Sequence, residues 1–454
     1  MIIRFSIENF LSFRERQTFS LLPGKGTLKA EHKTTPVKRI SALKTGVIFG
    51  ANASGKTNLV KAMRFGKDMV LLGNKPGGRI RYDRFRLDDD CLEADSRLEF
   101  EIQHQGRNFA YGFVFNDRQI VEEWLYEVNR DSDRKVFERN TQAEEIFDLE
   151  PLQRKNRNRE EQQFLQFVAK ATPDNQLFLH EVATRKVSDH VSDISELLSV
   201  FDWFQNSLKI VRPEDRYRMG LRFELKDNDY LMRSFEEFLA YFDTGIDGVC
   251  LKETTPEKMD LPTKLIERVM EDLLDANSED VRASIVSENR TTYFLSVRNK
   301  QVEYFQFMTQ HLKANGEMAL FDTKDESDGT NRIIDFIPLL MDLLQGDNVF
   351  VIDEMERSLH PNLIYEFMDL YLRQAKHINS QLILASHESS LITQQLLRKD
   401  EIWFVVKDQD GSSKLHSLEE YKVRFDKAIR KDYLLGRFRA VPRFGNPNEL
   451  TVLS

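Results

Sequence analysis

Cysteine is almost missing. Cys91 and Cys250 are the only two in 454 residues, too few for a disulfide framework and in keeping with a reducing compartment. No apolar run approaches the roughly 20 residues that cross a bilayer, so no membrane-spanning segment is expected. An excess of positive charge is also lacking: 65 Lys+Arg against 74 Asp+Glu leave a net −9. That balance argues against wholesale coating of nucleic acid and leaves room only for a local basic patch. No heptad pattern runs through 151–280, which excludes a long coiled coil there. Repeats and low-complexity tracts are absent too. What remains is 41% apolar and 31% charged, a foldable composition somewhat above the roughly 25% charged norm. At about 100–200 residues per domain, the length suggests two or three domains. Met1–Ile7 alternates apolar and polar like a strand, unlike a secretory leader, and a cytoplasmic location is expected.

Residues 2–7 read as an edge strand, followed by a turn at Asn9-Phe10-Leu11-Ser12-Phe13. Thr45–Phe49 is a short apolar run, and 58–69 has helical spacing with Leu59 and Met63 on its inner side. Alternation over 97–140, with turns at Gln105-Gly106 and Asn116-Asp117, predicts an antiparallel meander. The polar stretch 151–280 predicts helices near 160–171, 193–207, 230–242 and 261–275. Strands return over 281–308, with a hairpin turn at Asn299-Lys300. From residue 330 onward helices (330–344, 362–376, 389–397) alternate with strands (348–352, 381–385, 401–407), which implies a parallel sheet covered by helices. The expected class is α/β. A head split in sequence has its N-terminal half in 1–150 and its C-terminal half in 281–454, with a mostly helical insertion or lid over 151–280.

Gly50-Ala51-Asn52-Ala53-Ser54-Gly55-Lys56-Thr57 fits G-x-x-x-x-G-K-[ST] in full. It follows an apolar strand and opens a helix at Asn58, the context this phosphate-cradling loop requires. Glycines let the backbone close around phosphate oxygens, and the helix N-terminus adds a positive dipole. Lys56 would place its charge between the β- and γ-phosphates, and Thr57 would offer its hydroxyl to Mg²⁺. The buried run Asn348–Ile352 ends in Asp353-Glu354, where the carboxyl end of a parallel strand suits catalytic groups. Asp353 is the expected Mg²⁺ ligand, and Glu354 the group that polarises the attacking water. Glu326-Ser327-Asp328-Gly329-Thr330 precedes an amphipathic helix. Ser327 and Thr330 can cap it, and Gly329 allows close approach of a phosphate. His387 ends another buried strand, one beyond the acidic pair, where a γ-phosphate sensor would sit. Pro361 suits the first turn of the next helix.

In this order, the Asn9–Phe13 turn, the Gly50–Thr57 loop, Glu326–Thr330, Asp353-Glu354, Ser358-Leu359-His360-Pro361 and His387 resemble the ABC-type ATPase heads of the SMC, Rad50 and RecF kind. More narrowly they resemble the AAA-15/AAA-21 ATPases of bacterial anti-phage defence operons, the group of the RloA/AbiL-type ATPases and of the AriA subunit of the PARIS system. The stretches Phe178–Phe204, Asp400–Val405 and Tyr433–Pro442 are similar to this group as well. The resemblance implies ATP and Mg²⁺ as cofactors, with two heads pairing head to tail around ATP, as a dimer or within a larger ring. Ser327, Asp328 and Gly329 of one head would contact the γ-phosphate held by the other, and Ser358–Pro361 would cross the interface. Glu354 would be the base and His387 the switch histidine. It further implies an infection-sensing ATPase that sequesters or activates a separate effector, expected to be a Toprim-type nuclease, and that answers a phage-encoded trigger. The chain's own C-terminal region lacks a Toprim pattern.

Two other functions stay open on the sequence: a RecF-like DNA-repair ATPase, and a scaffold in which ATP drives assembly alone. Eight basic residues fall within 422–443 (Lys422, Arg424, Lys427, Arg430, Lys431, Arg437, Arg439 and Arg443) beside Tyr433, Phe438 and Phe444. They suit a solvated ion-paired face, an acidic protein partner or a nucleic-acid backbone. Arg154–Arg159 and Asp88–Asp90 read most simply as solvated segments.

Overall fold

Short runs rich in β-branched and apolar residues build the inner strands of a six-stranded sheet, whose two edge strands are only partly buried. Its order is Ser413–Ser417, Ile402–Lys407, Thr45–Phe49, Gln381–Ser386, Val349–Asp353, Leu208–Val211. All neighbours are parallel except the antiparallel pair at the Ser413–Ser417 edge. Thr45–Phe49, Val349–Asp353 and Gln381–Ser386 are buried at every residue, as parallel strands covered on both faces must be. The computed structural model of the protein describes residues 1–129, 132–218, 220–275, 282–298, 301–422 and 429–442.

The chain divides into two compact units. The first holds Met1–Pro213, Leu343–Glu356 and Tyr365–Ser454; the second holds Glu214–Asp342 and Arg357–Ile364. Besides the parallel sheet, the first unit has a seven-stranded antiparallel sheet: Gln17–Ser20, Ile2–Glu8, Ser96–His104, Arg107–Phe115, Ile120–Glu127, Arg134–Asn140, Phe147–Asp148. The expected meander is its body. Ile2–Glu8 is not the edge strand expected: Gln17–Ser20 folds back on one side and Ser96–His104 pairs on the other. The helix Lys56–Leu71 packs against both sheets of this unit. Leu59 and Met63 are fully buried, as their spacing requires, in one core with Phe5, Phe100, Trp203, Val351 and Ile383.

The expected insertion of 151–280 differs from the observed second unit in both extent and character. Residues 151–211 lie in the first unit, because Leu208–Val211 adds in parallel to Val349–Asp353. The second unit is mixed rather than mostly helical. Its sheet runs Gly248–Glu253, Gln301–Leu312, Thr292–Arg298, Arg282–Val286, with Met318–Asp322 paired to the end of the long second strand. Phe294, Phe305 and Phe307 form one face with Phe223 and Phe235, whereas Tyr293 and Leu295 form the other with Ile266 and Leu273. The expected turn Asn299-Lys300 falls outside the described residues. The helix expected over 389–397 does not form. Glu388 caps Ser390 N–H, and only the single turn Ser389–Leu391 follows. The serines and β-branched Ile392 and Thr393 that come next are weak helix formers.

Where Lys56–Leu71 crosses the meander, a Cβ on Gly66 would stand 2.6 Å from the Phe100 ring. Gly66→Val is therefore expected to lower stability by about 1–3 kcal/mol through overpacking, read as an earlier midpoint in chemical denaturation.

Candidate functional site

The loop from Gly50 joins the strand Thr45–Phe49 to the helix Lys56–Leu71, as the motif requires. Ala53 (φ +61°) and Gly55 (φ +118°) are left-handed, a geometry that turns successive backbone N–H groups toward one concavity. Gly55 could not be replaced without strain, because a Cβ there would also run into the hydroxyls of Ser413 and Ser12. Those hydroxyls brace the loop. Ser413 Oγ donates to the Ser54 carbonyl (2.5 Å) and meets Ser12 Oγ (2.7 Å), which in turn accepts from Asn58 Nδ2 (2.8 Å). Ser413 N–H donates to the Ser12 carbonyl as well (2.7 Å). Ser12 belongs to the turn singled out in the sequence. Ser413 had no signal, since it acts only because the edge strand brings it beside the loop.

Lys56 is buried, and its ammonium donates to the carbonyls of Gly50 (2.8 Å) and Ala51 (3.3 Å). His387 lies against it, Nε2 at 2.9 Å and Nδ1 at 3.3 Å from Nζ. Burial pulls the Lys56 pKa down to about 8, opposed by Glu356, Asp353 and Glu354. Burial, and then the Lys56 charge, lower His387, so a neutral imidazole faces the ammonium. Asp353 ends its strand almost wholly buried. Its carboxyl is pushed up to about 6 by burial, against the Thr57 hydroxyl in hydrogen-bonding reach. Asp353 Oδ1 is buried with no partner, an acceptor that a hard cation would satisfy. Glu354 follows in a left-handed conformation (φ +48°), with its N–H held by the Ala385 carbonyl at 3.0 Å. Glu356 accepts from the His387 N–H and, at 3.0 Å, from the Ser386 hydroxyl. It was missed in the sequence; its one signal is a third carboxylate within four residues of Asp353.

A family profile described as "AAA domain, putative AbiEii toxin, Type IV TA system" matches residues 47–393. The chain belongs to this AAA family. The matched span runs from within the strand Thr45–Phe49 to beyond His387. No curated protein matches the chain. Similar solved structures include the SMC head domain from Thermotoga maritima, at 11% identity and TM-score 0.37, covering 92% of this chain and 98% of that one. Another is an SmcHead bound to the C-winged helix domain of ScpA, at 12% identity and TM-score 0.41, covering 92% and 99%. A third is an Smc head domain with an extended coiled coil, bound to the C-terminal domain of ScpA, derived from Pyrococcus furiosus, at 12% identity and TM-score 0.31, covering 96% and 99%.

In this AAA-family chain Lys56, Thr57, Asp353 and His387 come together in the first unit, from three neighbouring strands. Ser327, Asp328 and Gly329 lie in the second. There Ser327 Oγ accepts the Thr330 N–H at 3.0 Å and caps the helix Asp328–Gln345, while Ser327 and Asp328 face solvent. Asp328 pairs with Arg290, and Glu326 Oε1 holds Thr309 (2.5 Å) and His311 (2.7 Å). A Cβ on Gly329 would come 3.0 Å from the Ser358 carbonyl, so this turn packs on the loop Ser358-Leu359-His360-Pro361 within the same unit. Pro361 opens the helix Pro361–Gln374, as expected.

The tail motif has a packing role: Tyr433 and Phe438 stack on Phe404 at 5.8 and 4.8 Å. Of its basic residues, Arg437 pairs with Asp432 (2.8 Å) and Arg430 reaches Ser389 (3.3 Å). Arg424, Lys427, Arg443 and Phe444 fall outside the described residues. Among the other singled-out charges, Arg154 pairs with Glu150 (2.6 Å) and Lys155 with Glu196, while Asp88 caps its own turn and pairs with Arg14 (2.5 Å). Among the described residues, no three His, Cys, Asp or Glu side chains converge as a metal site.

Ser413→Ala removes the donor to Ser54 and one of the two partners of the Ser12 hydroxyl, leaving it Asn58 alone. A stability loss of about 1–3 kcal/mol is expected in chemical denaturation.

Proposed function

We propose that the protein is an ATP-hydrolysing, ABC-type head that closes on a second copy around ATP and controls a separate effector in a bacterial anti-phage defence system. The observation that carries the hydrolytic part is the meeting of Lys56 with His387 beside the unpartnered Asp353 Oδ1, at the carboxyl ends of adjoining parallel strands. Residues Gly50–Asn58 would hold the triphosphate, with Lys56 moving from its loop carbonyls to phosphate oxygens. Asp353 Oδ1 and the Thr57 hydroxyl suit Mg²⁺, which when bound supplies charge neutralisation at the phosphates. Glu354 would accept the proton of the attacking water as its oxygen bonds to the γ-phosphorus. The bond from that phosphorus to the bridging β-oxygen breaks, giving ADP and phosphate. His387 would sense the γ-phosphate from the Lys56 side.

The exposed Ser327-Asp328-Gly329 turn would complete the γ-phosphate site of the second copy, in a dimer or a larger ring. The solvent-facing capped helix start supports that role, because its backbone N–H groups favour an anion. The family description, which names a toxin and a Type IV TA system, supports the defence setting. The effector is proposed to be a separate Toprim-type nuclease, released or activated when a phage-encoded trigger shifts the ATP-closed state. An order–disorder change of an interface held through the γ-phosphate would suffice.

Glu354→Gln is expected to cut turnover on the order of 100-fold or more while retaining ATP and raising the assembled mass in light scattering. Wild-type turnover would overturn the role of Glu354. Ser327→Arg should leave ATP affinity within about threefold but keep the Glu354→Gln protein from assembling, since the added bulk and charge act only across the interface. Assembly undiminished by this change would remove the proposed contact between copies. DNA-stimulated turnover with a steep salt dependence would instead favour a repair ATPase.

A further inference from the structure

Glu356 lies two residues beyond Glu354, where the chain leaves the strand Val349–Asp353. It reaches across to the end of the neighbouring parallel strand Gln381–Ser386. Both of its oxygens are used there. Oε1 accepts the backbone N–H of His387, and Oε2 accepts the Ser386 hydroxyl at 3.0 Å. Ser386 Oγ also accepts the Glu388 N–H at 2.9 Å, so three consecutive residues of the turn are tied, directly or through one hydroxyl, to a single carboxylate. The His387 ring points from this tethered backbone onto Lys56 Nζ.

We infer that Glu356 is a positioning residue of the hydrolytic site: its carboxylate fixes the 386–388 turn and so sets the imidazole of His387 against the Lys56 ammonium. The inference rests on the reading of His387 as a γ-phosphate sensor. A backbone N–H donated to a side-chain carboxyl oxygen makes a directional bond, and its geometry needs the oxygen's reach rather than its charge. Because Glu356 and Glu354 belong to one chain segment, the acidic pair and the histidine are held in a common frame. A shift of about 1 Å in a reacting geometry can change a rate about 100-fold, so a tether of this kind is kinetically significant without touching substrate.

Two bland alternatives make different forecasts. If Glu356 only satisfies buried donors, its loss lowers stability and leaves turnover per folded molecule unchanged. If it acts through its negative charge near Lys56, then charge, not shape, is what must be kept. Glu356→Gln and Glu356→Asp separate these cases. Gln keeps the length, accepts the His387 N–H through its carbonyl and donates to Ser386 Oγ. Asp keeps the charge but is one methylene too short to hold both partners.

Steady-state ATP hydrolysis by the full chain with Mg²⁺ is the measurement, with His387→Ala alongside. For Glu356→Asp, kcat should fall about 10–100-fold with KM within about threefold, whereas Glu356→Gln should stay within about threefold of wild type. Glu356→Asp combined with His387→Ala should be no slower than His387→Ala alone, because the first acts through the second. Glu356→Gln as slow as Glu356→Asp, or additive losses in the double variant, would overturn the positioning role. So would an unchanged kcat for Glu356→Asp while His387→Ala is impaired. If His387→Ala itself keeps wild-type turnover, the sensor reading fails, and the positioning role falls with it.

Discussion

A buried ammonium must be surrounded by acceptors, and the first unit is organised around one. Lys56 could reach its carbonyl partners only if the loop from Gly50 to Gly55 closes tightly, and that closure needs the left-handed turns at Ala53 and Gly55. The tight loop in turn leaves no room beneath it except for hydroxyls, which Ser12 and Ser413 provide. The surrounding carboxylates keep the lysine charged even though burial favours losing the proton.

Parallel strands make this convergence possible. Thr45–Phe49, Gln381–Ser386 and Val349–Asp353 are adjacent in the sheet, yet a long stretch of chain, from Gly50 to Asn348, separates the first from the others. Each ends at the same edge, so Lys56, Asp353 and His387 meet without any local sequence relation. The sheet can be this buried because the helix Lys56–Leu71 and the antiparallel sheet share one continuous core with it. Glu356 adds a cross-tie between the two central strand ends, beyond the last backbone bond that joins them, from Glu354 N–H to the Ala385 carbonyl.

The second unit is built on a different principle. Its antiparallel sheet buries aromatic rings on one face, met by the helices that carry Phe223 and Phe235, and a mixed apolar set on the other, met by the single helix Thr263–Asp275. It presents the capped Ser327-Asp328-Gly329 turn on the surface. Capping by Ser327 is a local device, since the hydroxyl bonds the N–H three residues on, while Arg290 and the Ser358 carbonyl meet the same turn from elsewhere in the unit.

Local chemistry was readable from the chain alone. The strand–loop–helix around Gly50–Thr57, the strand ending in Asp353-Glu354, the meander and the capped turn each depend on residue types within a few positions of one another, and the α/β class follows from their alternation. Other features depended on distant partners. Ile2–Glu8 became an interior strand because Gln17–Ser20 folded back on it, and Leu208–Val211 became a strand because Val349–Asp353 offered it an edge. Over 389–397 the expected helix stopped at a single turn for a local reason instead, since Ser389, Ser390, Ile392 and Thr393 are weak helix formers. Ser413 and Glu356 gained their partners only when strands remote in sequence were aligned. Hydrophobic period and turn chemistry are encoded within a few residues, but strand order and the pairing of buried polar groups are fixed only by the packing of the whole unit.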